Sequence, residues 1–426
     1  MPVSNSRIVE RNVAVAATAG SWQINDIVAR LRQAIGRVRG LTELARRLVA
    51  VFHERPDVEQ LLPILRADPL YSKLPKLVRT VFWSTPVMGA GHGWAAPTIR
   101  TTTELATRLE LSPGELDWFA DVQGRNSRQH ITRLQHYTHR WIAKRGGRYR
   151  LLEVPKSRLK EIQRIILRDI LAHIPPHDAA HGFRAGRSVR TFAEPHTNRL
   201  AVLRIDLKDF FPAVRASRVH AIFCSAGYPI TVARTLTGLC TTALPVGVAA
   251  PNPDVPLSAF RQRHLPQGAP TSPALANLAA FGLDVRLSAW ASACGAVYTR
   301  YADDLAFSGD ESFARVGIRF RRMVWQIIAE EGFRANAVKS RWMTAGGRQH
   351  LAGVVVNKKP NIRRDEFDRL KAMLTNCIRH GPAGQNREGH PDFRAHLLGR
   401  IAHVAMLNAE RGARLRILAE RIDWSR

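Results

Sequence analysis

The chain has 426 residues, 45% of them hydrophobic, with 64 Lys and Arg against 35 Asp and Glu and a net charge of +29. That length exceeds one small core and points to two or three subdomains, and the apolar content excludes a disordered chain. The charge calls for a polyanionic partner, and no apolar run approaches the roughly 20 residues of a membrane span, which leaves nucleic acid and no membrane. Met1–Asn12 has no signal-peptide core, and Cys224, Cys240, Cys294 and Cys377 form no CxxC pair. A cytoplasmic protein without zinc or disulfides is expected.

Helical apolar spacing runs from Ile24 to about Val81, as at Ile27, Leu31, Ile35 and Val38. Gly89–Pro97 is rich in Gly and Pro and marks a break. Trp94 stands where a GxGxxG loop needs its third glycine, so no dinucleotide loop is read there. Thr102-Thr103-Glu104 and Ser112-Pro113-Gly114-Glu115 open two short helices with capping signals. They read as a packed pair, with a helix-turn-helix as the alternative. Trp141 to Leu152 reads as strand, Gly146-Gly147 turn, strand. This cationic hairpin offers Lys144, Arg148 and Arg150 as clamps for a nucleoside triphosphate. A helix follows over Leu159–Ile174 and stops at Pro175-Pro176. His181 to Ser188 is a Gly-punctuated basic loop whose Arg184 and Arg187 suit template or primer phosphates.

An apolar strand, Leu200–Ile205, ends at Asp206. Further on, Tyr301-Ala302-Asp303-Asp304 sits between two apolar runs and predicts strand, tight turn, strand. Adjacent carboxylates at a buried turn repel each other and resist desolvation, a cost that divalent cations relieve. Hard oxygen ligands suit Mg²⁺, and two such ions (Mn²⁺ as a substitute) clamp the attacking and leaving oxygens of a phosphoryl transfer. Asp206, Asp303 and Asp304 are therefore the candidate catalytic metal ligands of a nucleotide polymerase, with Asp209 read as a surface acid. The loop His264 to Asn277 enters a helix; its Gln267 could orient template or nucleotide, and the small Gly268 permits close approach of a base pair. Ala302 would likewise face template or primer. Phe211, five residues after Asp206, would face the sugar of an incoming nucleotide and exclude a 2′-hydroxyl. Phe210 and Phe211 are read on a strand, pointing to opposite faces. Lys339 is a candidate general acid for the departing pyrophosphate.

The order of these blocks resembles a bacterial retron-type reverse transcriptase from about His136 to Asp423. The residues that carry the resemblance are the hairpin with Arg150, the His181–Ser188 loop, Asp206, Leu265-Pro266-Gln267-Gly268, Tyr301-Ala302-Asp303-Asp304 and the Lys339 segment. The resemblance implies an α+β right-hand polymerase fold. Its parts would be an N-terminal helical extension (1–125), fingers (126–199), a ferredoxin-like antiparallel palm (200–357, with 212–264 partly fingers) and a helical thumb (358–426). In the thumb, Arg363, Arg364, Arg369 and Lys371 would contact duplex. Asp206 and Asp303 would bind both metals and Asp304 would support them. The implied activity is RNA-directed DNA synthesis from deoxynucleoside triphosphates on a partner noncoding RNA, primed from a 2′-hydroxyl of that RNA. The implied product is a branched RNA–DNA hybrid, multicopy single-stranded DNA, made in phage defence alongside an effector protein. Two departures are visible. No Asn-Ala-x-x-His lies between Phe211 and His264, and Leu351-Ala352-Gly353 stands where the family often has Val-Thr-Gly. They leave open a reverse transcriptase of a diversity-generating or abortive-infection lineage; a catalytically idle RNA-binding scaffold, which the +29 charge alone would fit, is the remaining alternative, and the intact acids, Gln267 and Phe211 argue against it.

Overall fold

The computed structural model describes residues 5–74, 88, 93–129, 131–144, 149–253, 255 and 257–425. The chain forms two compact units, Met1–Met88 and Gly89–Arg426.

The first unit is helical: α1 (Asn5–Thr18), α2 (Ile24–Ile35), α3 (Leu41–Val51) and α4 (Val58–Ala67). Apolar residues three and four apart give each helix one buried stripe, and Val13, Ile27, Leu31, Leu44, Leu48 and Leu61 meet in a shared core. Gly40, at φ +100°, turns the chain into α3. The buried Glu10 is held by Arg66 Nε at 2.7 Å and Tyr71 Oη at 2.9 Å. The end of the expected helical stretch, residues 75–81, lies outside the described residues.

In the second unit, strands β1 (Tyr137–Ala143) and β2 (Tyr149–Pro155) form the expected antiparallel hairpin, although its Gly146-Gly147 turn lies outside the described residues. The predicted helix begins at Ser157 and ends at Asp169, before a 3₁₀ turn over Leu171–His173. A four-stranded sheet follows, built from β3 (Ala201–Asp206), β4 (Ala296–Tyr301), β5 (Asp304–Gly309) and β6 (Arg341–Thr344). Its order is β4-β5-β3-β6, with every neighbour antiparallel. Helices Phe281–Ala293 and Glu311–Glu330 pack on the sheet, where Phe320 contacts Phe307, Phe313 and Trp290. The architecture is thus α+β with antiparallel sheets. A small hairpin, β7 (His350–Leu351) and β8 (Val354–Val355), turns at Ala352 and Gly353, both at positive φ. Its Leu351 and Val354 share a core with three C-terminal helices, Arg364–His380, Phe393–Leu407 and Ala409–Glu420.

The first compact unit ends at Met88, where the helical extension was expected to run to residue 125. The short helices Thr102–Arg108 and Pro113–Ala120 pack instead on helix Ile230–Cys240 of the second unit. Gly238 makes this contact possible, because a β-carbon there would stand 2.1 Å from the Ala120 carbonyl oxygen. Phe210 and Phe211 do not alternate on a strand. Strand β3 ends at Asp206, Asp209 turns left-handed at φ +51°, and Phe210–Ala213 is one helical turn. Phe210 consequently packs inward on Phe333, while Phe211 lines a cavity.

Candidate active site

The site lies where β3 and β5 end side by side. Residues on one face of a strand are two apart, so Arg204 and Asp206 share a face. The antiparallel register sets Asp206 directly opposite Asp304. Like charges opposite one another oppose pairing, and the diagonal neighbour Arg204 answers this with bonds to Asp304 at 2.7, 2.9 and 3.0 Å. Register Tyr301↔Asp304 leaves a two-residue loop, Ala302-Asp303, with Ala302 at φ +55°. Strand β6 reaches only as far as Arg204, so Asp206 takes its remaining partners from the segment before β6. Asn336 Nδ2 donates to it at 2.8 Å and Lys339 Nζ at 3.0 Å, while Asn336 N donates to the Asp206 carbonyl at 2.7 Å.

These residues open on a cavity of about 500 Å³. Of the expected residues, Asp206, Asp303, Lys339, Lys144, Arg150, Phe211, Gln267 and Ala302 line it. Burial raises the pKa of Asp303, and the neighbouring charges of Asp304 and Asp206 raise it further. Burial also raises Asp304, with Arg204 pulling the other way. Burial lowers the pKa of Lys144, as do the nearby Arg150 and Lys339 cations. Positive and negative walls therefore face each other across one cavity.

The donor set is all oxygen and its carboxylates are incompletely neutralised, which suits a divalent cation. Among the described residues, however, no three His, Cys, Asp or Glu side chains close around one point. Asp304 is engaged by Arg204, and Asp206 by Lys339 and Asn336.

Four expected residues, three of them read as template or primer contacts, are not in the cavity lining. Asp304 lies behind the cavity wall, on Arg204. Arg184 pairs with Asp178 at 3.2 Å, and Arg187 is outside the cavity lining. Gly268, at φ +132°, packs on the hairpin, where an added β-carbon would meet the Glu153 carbonyl oxygen at 3.2 Å. The same loop is pinned when Glu153 N donates to the Gln267 carbonyl at 2.9 Å. Arg148 lies outside the described residues.

Sequence reasoning missed Asn336, Arg204 and Phe183. Asn336 was legible only as three residues before Lys339, and Arg204 as the residue two before Asp206 on the same strand face. Phe183 takes a left-handed φ of +59° that aims it at Phe211, with ring centres 6.1 Å apart, and no local pattern announces that.

Behind the Ala302-Asp303 loop sits a second network that the sequence hid. Arg300 and Asp284 are fully buried and bonded at 2.6 and 2.8 Å, with Tyr298 Oη on the same carboxylate at 2.8 Å. Arg300 Nη1 also donates to Asn277 Oδ1 at 2.9 Å and to the Ala302 carbonyl at 3.2 Å. Asn277 in turn donates to the Gly182 carbonyl at 2.8 Å. Gly182 lies so close to the loop that a β-carbon would be 2.6 Å from Ala302 N.

Residues 142–372 match the family model "Reverse transcriptase (RNA-dependent DNA polymerase)". The chain is 41% identical over 324 residues to the retron Mx65 reverse transcriptase of Myxococcus xanthus, covering 76% of this chain and 72% of that one. It is 35% identical over 322 residues to the retron Mx162 reverse transcriptase of the same organism, covering 72% and 64%. With the retron Ec86 reverse transcriptase of Escherichia coli it shares 32% over 236 residues, covering 55% and 67%. No helix among the described residues is long and apolar enough to cross a membrane. The chain belongs to the reverse transcriptase family and, within it, is an RNA-directed DNA polymerase of the retron type.

Proposed function

We propose that the chain copies part of a partner noncoding RNA into multicopy single-stranded DNA at the cavity between the hairpin and the sheet. The observation that carries this reading is the pairing of opposites in one 500 Å³ space: Asp206 and Asp303 on one side, Lys144 and Arg150 on the other. In hand terms, β1–β2 would be fingers, the four-stranded sheet the palm and the C-terminal helices the thumb. Two Mg²⁺ ions held by Asp206 and Asp303, with Asp304 behind them, would stabilise charge on the attacking and leaving oxygens.

The other roles belong to the chain's own groups. Lys144 and Arg150 would receive the triphosphate as charge-assisted donors, and its negative charge would relieve their mutual repulsion. Phe211, backed by Phe183, would close the space beside the sugar and favour deoxynucleotides. Lys339 now neutralises Asp206, so a role as proton donor to pyrophosphate requires it to leave that carboxylate. Priming from a 2′-hydroxyl of the RNA and a place in phage defence beside an effector protein follow from the same reading.

The test is expression in a bacterium together with the native flanking DNA, followed by extraction of small nucleic acids. A discrete species sensitive to both RNase and debranching enzyme, absent with Asp303→Asn/Asp304→Asn, is the expected result. Activity confined to an artificial primed template, with no branched species, would remove the partner-RNA reading and leave the polymerase.

A further inference from the structure

We propose that the C-terminal helices carry a second nucleic-acid site, apart from the catalytic cavity, that takes a single unpaired nucleotide of the RNA partner. The proposal rests on the RNA partner of the preceding reading. A pocket of about 320 Å³ lies between helix Arg364–His380, helix Phe393–Leu407 and the segment joining them. Its size is that of a small-ligand cleft, for which about 300 Å³ is the lower bound. Its walls combine the two chemistries that a nucleotide needs.

The first is a stacking platform. The His390 and His396 rings lie 3.8 Å apart and 15° from parallel, and Phe393 continues the stack at 12° to His396. The second is positive charge: Arg369, Arg387 and Arg400 line the same pocket, and Arg369 also lies within electrostatic reach of Asp365. Three guanidiniums, against the single Glu388 carboxylate in the lining, around an aromatic floor suit a π-face and a phosphate together. The pocket is also built in advance. Asn386 clamps its joining loop, donating to the His390 carbonyl at 2.9 Å and accepting from His390 N at 2.8 Å, and Gly389 turns at φ +65° between them. A preformed loop avoids an ordering cost on binding.

The same features exclude other occupants. A base within a duplex is already stacked and cannot enter a pocket. The Glu388 carboxylate, 3.2 Å from His390 Nε2, puts negative charge at the site and disfavours a triphosphate over one phosphodiester.

The full chain would be titrated with a short unstructured RNA carrying one 2-aminopurine, and with a fully paired duplex of the same sequence. Stacking quenches the probe, so wild-type protein should quench the single strand. Loss of base–aromatic stacking is worth about 1–3 kcal/mol, or about 5- to 150-fold in affinity. His396→Ala should accordingly bind the single strand about tenfold more weakly, His396→Phe should restore it, and Arg387→Glu, on the exposed loop, should weaken it similarly. Polymerisation on an oligonucleotide-primed template should stay at the wild-type level in all three. Unchanged single-strand affinity in folded Arg387→Glu and His396→Ala would overturn the site, as would equal losses for the duplex. If wild-type protein fails to polymerise at all, the catalytic reading falls instead, and the two failures are thereby distinguished.

Discussion

Asp284, on helix Phe281–Ala293, and Asp303, in the turn between β4 and β5, lie on either side of the Arg300 network and are treated in opposite ways. Asp284 is fully buried and accepts three bonds, two from Arg300 and one from Tyr298. Among the described residues no side chain donates to Asp303, which faces a cavity with Asp304 and Asp206 for neighbours. Where a carboxylate is fully paired it acts as a strut. Where it is left short of partners beside an open space, it is available for chemistry. Such a site is retained at a cost in stability.

The comparison can be broken most directly at the unpaired acid. Asp303→Asn should lower nucleotide incorporation by roughly 10³- to 10⁴-fold, about 4–5 kcal/mol of lost charge stabilisation in the transition state. Its stability should be equal to or above wild type. Single-turnover incorporation with a urea unfolding curve measures both, and an inactive, destabilised variant would erase the contrast with Asp284.

At the strut the prediction reverses. Arg300→Leu leaves Asp284 buried without its cation and should cost about 3–5 kcal/mol of stability, read as a shifted urea midpoint. Activity should fall as well, because Arg300 holds the Ala302 carbonyl and hence the Asp303 loop. Normal stability in that variant would mean that the pair is dispensable.

Gly182→Ala probes the join between the two. Its β-carbon would collide with the Ala302 backbone, which cannot move aside as a flexible side chain can. A loss of about 1–3 kcal/mol in stability is expected, with a lower kcat rather than a higher KM, because the shifted group is the loop carrying Asp303.

The smallest effect is electrostatic. The folded chain holds the Asp303 and Asp304 protons more tightly than the unfolded chain does, since both pKa values are raised. Their contribution to stability is therefore fully present at low pH. It declines as pH rises from the ordinary carboxylate range through the raised folded values. Mg²⁺ should reverse that decline, by about 1.4 kcal/mol at ten times its Kd. Thermal melts against pH, with and without Mg²⁺, should show it, and Asp303→Asn should flatten both curves.

Much of this was legible beforehand. The apolar runs on either side of Tyr301-Ala302-Asp303-Asp304 called for a hairpin, and β4 and β5 form it. Lys144, Arg150, Gln267 and Lys339 line the cavity, and they stood out in the sequence as charged or amide side chains in or beside turns and loops. The partners of Arg184 and Gly268 were not legible, because a short-range pattern cannot tell whether a cation already has a carboxylate or whether a glycine packs on a neighbouring strand. Phe211 reaches the cavity on a helical turn rather than the expected strand, since nothing in Lys208-Asp209-Phe210 signals a left-handed aspartate.

The sequence by itself determined the class of chemistry, because three acids at strand ends, a net charge of +29 and a Gln-Gly loop are properties of residue type and spacing. The tertiary structure alone decided which acids are paired. The partners Arg204, Asn336 and Arg300 come from 100, 130 and 16 residues away along the chain. Coulomb energy depends on distance through space and on exclusion of water, and neither is written in sequence order.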